Sequence, residues 1–158
     1  MDKEKGVDDM KLTLQFRIGD SCLNSGDSWD QEKVASHLMQ ALVVPEKTAP
    51  QDLDLLSLKA ACFNGQEEKS FEQQKKSLYE TSRNSGFLVE NSWLEYISAV
   101  PEEKLEELTE AWCQEIREMF MEDLTADDAL KGFVKQLRGL CQEALAQSKP
   151  LVYLWSLQ

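Results

Sequence analysis

Eleven aspartates and glutamates crowd between Glu102 and Asp128 against only Lys104 and Arg117, a local charge of −9 within a chain of net charge −12. Carboxylates at that density can act as a paired acid and base, hold a divalent cation, or attract a basic surface. On a helix, Glu103, Glu106, Glu107 and Glu110 share the face opposite Leu105, Leu108 and Trp112. Glutamate is also simply a good solvated helix former. The spacing therefore predicts a solvated face first, a docking surface for a basic partner second and a catalytic pair a distant third. No Asp-x-Asp-x-Asp-Gly calcium loop occurs.

His37 is the sole histidine. One imidazole excludes a multi-histidine zinc site and a two-histidine metal triad. With a cysteine it could form a nucleophile–base pair. However, it lies near the apolar Val34–Leu38 stripe, and no cysteine sits in a local catalytic signature, so a surface or boundary histidine is the expected role. The cysteines, Cys22, Cys62, Cys113 and Cys141, are widely scattered, as reduced thiols of a cytoplasmic protein are and a disulfide framework is not. Three of them fall on apolar faces, where burial makes a thiol inert. Cys22 falls in the polar loop from Gly19 to Asp27 and is the thiol expected to be exposed, the first candidate if any thiol reacts. Trp29, at the lip of that loop, is the tryptophan expected to be exposed; Trp93, Trp112 and Trp155 sit on apolar faces and read as core. Phosphate loops of the Gly-x-Gly-x-x-Gly or Gly-Lys-Thr/Ser kind are absent, as is Gly-x-Ser-x-Gly. No motif asks for a cofactor or a metal.

The elements that must carry these residues are unevenly marked. Leu12, Leu14, Phe16 and Ile18 alternate with polar residues, which predicts a half-buried strand over residues 11–18. Ser28-Trp29-Asp30-Gln31 has the form of a capping box opening a helix that carries Val34, Leu38, Met39 and Leu42 and ends before Pro45. Residues 53–63, dense in Leu and Ala, read as a short buried helix closed by Asn64-Gly65. Residues 66–82, full of Glu, Gln and Lys, read as a polar helix with a thin stripe of Phe71, Leu78 and Tyr79, stopped at Asn84-Ser85-Gly86. Two further helices follow, one bearing Trp93, Tyr96, Ile97 and Val100, the other running from Pro101 to about Met121. Thr125-Ala-Asp-Asp128 caps a last helix whose stripe runs Leu130, Phe133, Val134, Leu137, Leu140, Cys141, Ala144 and Leu145. Ser148-Lys149-Pro150 stops it. The apolar run from Leu151 to Leu157 then reads as a strand buried on both faces.

The expected fold is α+β. A small sheet joins strand 11–18 to strand 151–157 under about five or six amphipathic helices, and a third strand arises from 53–63, 86–90 or a second subunit. Residues 1–10 are a charged, mobile tail, and 11–158 form a single domain, within the usual size for a chain of 158 residues.

Over its C-terminal third the chain resembles the YfbM-like family of bacterial proteins, whose function is itself unassigned. The residues that carry the resemblance are Pro101-Glu-Glu-Lys-Leu-Glu-Glu-Leu, Asp128-Ala-Leu-Lys-Gly-Phe-Val-Lys-Gln-Leu-Arg, and Glu143-Ala-Leu-Ala-Gln-Ser-Lys-Pro-Leu-Val-Tyr-Leu. The resemblance implies an α+β fold that closes with a long helix, a short turn and an apolar strand. It brings no catalytic residue.

The acidic balance argues against nucleic acid or an anionic membrane as partner, since both need clustered Lys and Arg. The first nine residues lack the apolar core of a signal peptide, and nowhere is an apolar run long enough to span a bilayer. The first expectation is thus a small acidic cytoplasmic protein that binds another protein, of inhibitor or immunity type, through its acidic helical face. The alternative is a pocket protein or small enzyme with an apolar, Tyr- and Trp-walled cavity. A third reading is a homodimer formed through the last strand's edge or a helix face.

Overall fold

The alternation from Leu12 to Ile18 forms β1 (Leu12–Gly19), with Leu14, Phe16 and Ile18 turned into the core. The computed structural model describes residues 12–24, 28–45, 50–63, 75–120 and 125–157. Among these, β1 is followed by a 3-10 turn (Ser21–Asn24), a short helix α1 (Gln31–Ala35), β2 (Leu38–Val43), α2 (Pro50–Phe63), β3 (Lys75–Glu80) and β4 (Asn84–Val89). Then come α3 (Asn91–Ala99), a 3-10 turn (Glu102–Lys104) leading into α4 (Leu105–Phe120), α5 (Asp128–Ala146) and β5 (Leu151–Leu157). The strands make one antiparallel sheet in the order β2-β1-β5-β4-β3. The class is α+β, as the sequence predicts. No described helix is long and apolar enough to cross a membrane.

A lone strand leaves its backbone N–H and C=O groups without partners, so the two end strands had to find each other. They do, from Leu12 opposite Leu157 to Ile18 opposite Leu151. The third strand is β4, on the other side of β5, from Asn84 opposite Ser156 to Val89 opposite Leu151. Its range covers most of the anticipated 86–90; the other candidate, 53–63, is helix. Flanked on both sides, β5 buries Leu151, Val152, Tyr153 and Leu154 on alternate faces.

Two expected helices are overturned. The helix from Ser28 to Leu42 shrinks to the single turn and a half of α1, capped by Asp30, whose Oδ1 accepts from Lys33 N–H at 2.8 Å. Leu38, Met39 and Leu42 lie on β2 instead, an outer strand paired with β1. Likewise Lys75–Glu80, assigned to the polar helix, is strand β3. It turns at Thr81–Arg83 into β4, where Thr81 Oγ1 accepts from Asn84 N–H at 2.9 Å. Asn84-Ser85-Gly86 therefore starts a strand rather than stopping a helix. Asn64-Gly65, Phe71 and the tail 1–10 lie outside the described residues.

The remaining helices form where the apolar spacing puts them. In α5 the cap is Asp127 rather than Thr125: its carboxylate accepts from Leu130 N–H at 3.0 Å. The helix ends at Ala146; Ser148, just beyond it, is held in the left-handed region at φ 54°, and Pro150 admits no further turn.

Side-chain alternation gives the sheet two different faces. Phe16, Phe87, Leu151 and Tyr153 face α2 to α5. Phe16 stacks on Trp93 with ring centroids 5.5 Å apart, and the indole N–H of Trp93 donates to Ser57 on α2. Trp112 of α4 donates to the Asp52 carbonyl at 2.6 Å and leans on Phe133 of α5. Each of these wholly buried aromatics contributes on the order of 2–3 kcal/mol by leaving water. The opposite face carries Val152 and Leu154, and over them fold Leu23 and Val34 from the segment between β1 and β2, with Trp29 and Leu38 packed alongside. This second, smaller core positions the loop residues discussed next.

Candidate functional site

The structure divides the candidate residues between two places. Glu103, Glu106, Glu107 and Glu110 stand together on the outward side of the Glu102–Lys104 turn and α4, all exposed. Beneath them Leu105, Leu108, Trp112, Cys113 and Ile116 are buried, so the ridge rests on fixed packing. Two cations touch its start: Lys104 Nζ lies 3.6 Å from Glu107 and Lys135 Nζ 3.7 Å from Glu102. Glu103, Glu106 and Glu110 have no ion-pair partner among the described residues. Exposed pairs of this kind contribute about 0–1 kcal/mol, so they dilute the ridge's charge without fixing the fold.

Cys22, Trp29 and His37 meet elsewhere, on the sheet face away from α2 to α5. The turn Ser21–Asn24 follows β1 directly, and Leu23 pins it to Val152 and Leu154. His37 sits between α1 and β2, its N–H donating to the Val34 carbonyl at 3.0 Å. Backbone bonds join the two segments: Asp20 N–H donates to the His37 carbonyl at 3.0 Å. The joint places His37 Nδ1 2.6 Å from Asp20 Oδ2, while Cys22 N–H donates to Asp20 Oδ1 at 2.9 Å. The His37 hydrogen bond is the main reason the Asp20 carboxyl titrates below its ordinary range, partial burial opposing it and the Cys22 contacts assisting. Trp29 meets His37 edge to face, centroids 5.4 Å apart. It is half-buried rather than exposed, because the second core has taken in most of its ring, and its indole N–H has no hydrogen-bond partner among the described residues.

Cys22 is exposed, whereas Cys113 and Cys141 are buried and their thiols titrate higher through loss of water. A nucleophilic Cys–His pair would have the imidazole facing the thiol. Here the Nδ1 of His37 is engaged by the Asp20 carboxylate instead, which also accepts from Cys22 N–H. Asp20 is the member that sequence reasoning missed; its one signal was the Asp20-x-Cys22 spacing within the polar loop. The donor atoms of Asp20, Cys22 and His37 all lie within 4.8 Å of one another.

Trp93, Trp112 and Tyr153 are wholly enclosed by the main core, and three open clefts, beside β2, beside the acidic ridge and beside the Ser148 turn, have neither Trp nor Tyr in their walls. No protein-family model, curated protein or solved structure matches the chain.

Proposed function

We propose that this protein acts in the cytoplasm by binding a partner protein of basic surface through the acidic ridge Glu103–Glu106–Glu107–Glu110, in the manner of an inhibitor or immunity-type protein. The observation that carries this reading is the ridge itself: exposed carboxylates side by side on a helix whose other side is locked into the core. Such a ridge keeps its charges at fixed spacing, which steers a partner's approach and fixes its register more than it adds raw affinity. The cytoplasmic setting rests on the wide scatter of the cysteines along the chain, which suits reduced thiols better than a disulfide framework. The net charge of −12 speaks against nucleic acid as the partner.

An oligo-lysine peptide is the simplest probe. Its affinity should fall steeply with added salt, since the Debye length shrinks to about 10 Å at 0.1 M, and should fall again when Glu103, Glu106 and Glu110 are all changed to Gln. Binding indifferent to both salt and these substitutions would sink the electrostatic reading.

A further inference from the structure

The Asp20–Cys22–His37 corner has no part in the acidic ridge and adds little to packing, yet its three donor groups converge from two separate segments of chain. We propose that it binds one transition-metal ion of zinc's kind, held by an Asp20 carboxylate oxygen, Cys22 Sγ and a ring nitrogen of His37.

Spacing is the first support. The three donor atoms lie within 4.8 Å of one another. Around an ion with bonds of about 2.0–2.3 Å, tetrahedral ligand atoms stand roughly 3.3–3.8 Å apart. The widest pair must close by about 1.0–1.5 Å at most, a distance that rotation of the exposed Cys22 side chain about its Cα–Cβ bond spans. The 2.6 Å contact of His37 with Asp20 must open by about 0.7–1.2 Å to reach the same spacing. An ion takes the place of the proton now held there.

Preorganisation is the second. Asp20 N–H on the His37 carbonyl and His37 N–H on the Val34 carbonyl are backbone bonds that use none of the donor atoms, and Cys22 N–H on Asp20 Oδ1 orients the carboxylate. Trp29 lies edge to face with the imidazole, so the ring is already oriented. Little ordering remains to oppose binding.

Donor chemistry is the third. One thiolate, one imidazole and one carboxylate suit zinc and its neighbours; calcium and magnesium take oxygen sets. Binding releases the thiol proton to solvent, while the imidazole of His37 binds as the neutral ring, its one proton on the nitrogen that does not face the ion. The thiolate and carboxylate then balance the ion's two positive charges. With the side chains of His37 and Asp20 30% and 37% exposed, the fourth position opens to solvent, where water or a partner's side chain completes the shell.

The test uses the full chain, reduced and freed of metal with a chelator, and Co2+ as the probe. The expected result is one equivalent bound, with a thiolate-to-cobalt charge-transfer band and the intense visible bands of four-coordinate cobalt, displaced by one equivalent of Zn2+. Cys22→Ser should abolish the charge-transfer band and His37→Ala should weaken binding at least about tenfold, by analogy with the loss of groups that support a metal site. Cys62→Ser and the ridge variant Glu103→Lys/Glu107→Lys/Glu110→Lys should leave the band unchanged, which separates this site from the other thiols and from the acidic ridge. Absence of the band at stoichiometric Co2+, or its survival in Cys22→Ser, overturns the proposal. Cys22 is exposed, so its serine variant folds and the test stands even where His37→Ala does not.

Discussion

Gly19 ends β1 one residue before Asp20, and its missing side chain is what lets the Ser21–Asn24 turn fold back on the sheet. A Cβ placed there would stand 2.3 Å from Leu23 Cδ1, and 3.4 Å from both the His37 carbonyl oxygen and Val152 Cγ2. Carbon atoms in ordinary contact stand about 3.5–4.0 Å apart, so the Leu23 methyl must retreat by about 1.2 Å or more. Leu23 is 1% exposed and hemmed in by Val34, Val152 and Leu154, so the retreat drives it off its rotamer or lifts the turn. Overpacking of this kind costs about 1–3 kcal/mol. Leu23→Ala alone removes the obstruction but leaves a cavity, at a cost of about 2–4 kcal/mol. In the double variant the new methyl occupies part of that cavity, so the two losses combine to less than their sum by about 1 kcal/mol or more. Urea unfolding of the four proteins at a common m-value reads each quantity. A Gly19→Ala protein as stable as its parent, or strictly additive losses, would refute the packing assigned to this corner.

Asp127→Ala should cost about 1 kcal/mol in the same assay, through loss of its bond to Leu130 N–H, while Thr125→Ala should change stability by less than about 0.5 kcal/mol; the reverse order would restore Thr125 as the cap. The carboxyl of Asp20 is held below its ordinary range, so its contribution is whole above the unfolded pKa and is lost as pH falls through the folded one. The urea midpoints of the parent and Asp20→Asn should therefore differ at neutral pH and converge below about pH 4; a gap that persists undiminished in strong acid contradicts the His37–Asp20 bond. Under native, reducing conditions iodoacetamide should modify Cys22 and spare Cys113 and Cys141, as peptide mass mapping reads, since burial raises the pKa of both latter thiols. Labelling of Cys141 at a rate like that of Cys22 would contradict the packing of α5.

What the sequence conceals is physically consistent. The two segments misread as helix, Leu38–Val43 and Lys75–Glu80, are the two outer strands of the sheet. An outer strand has one neighbour, and it often carries charge that discourages further pairing. Lys75, Lys76 and Glu80 give β3 the composition of a solvated helix. In β2, Met39 and Val43 stay 38% and 60% exposed, so strict alternation is lost. Val34, Leu38 and Leu42 then fall by chance at helical spacing. The inner strands β1 and β5 must bury side chains, and their patterns are plain. The same logic explains the corner. Cys22, Trp29 and His37 each stood out singly, but placing His37 mid-helix hid the turn that carries it back to Asp20.

The central claim is that position on the Glu102–Lys104 turn and α4, rather than net charge, recruits the proposed partner. The direct measurement compares two triple variants with equal charge change, Glu103→Lys/Glu107→Lys/Glu110→Lys on the ridge and Glu32→Lys/Glu80→Lys/Glu95→Lys at exposed sites on other elements, by titration with the oligo-lysine peptide at low salt. The account predicts that ridge reversal removes binding and the scattered reversal leaves most of it. Equal losses in the two proteins would contradict it.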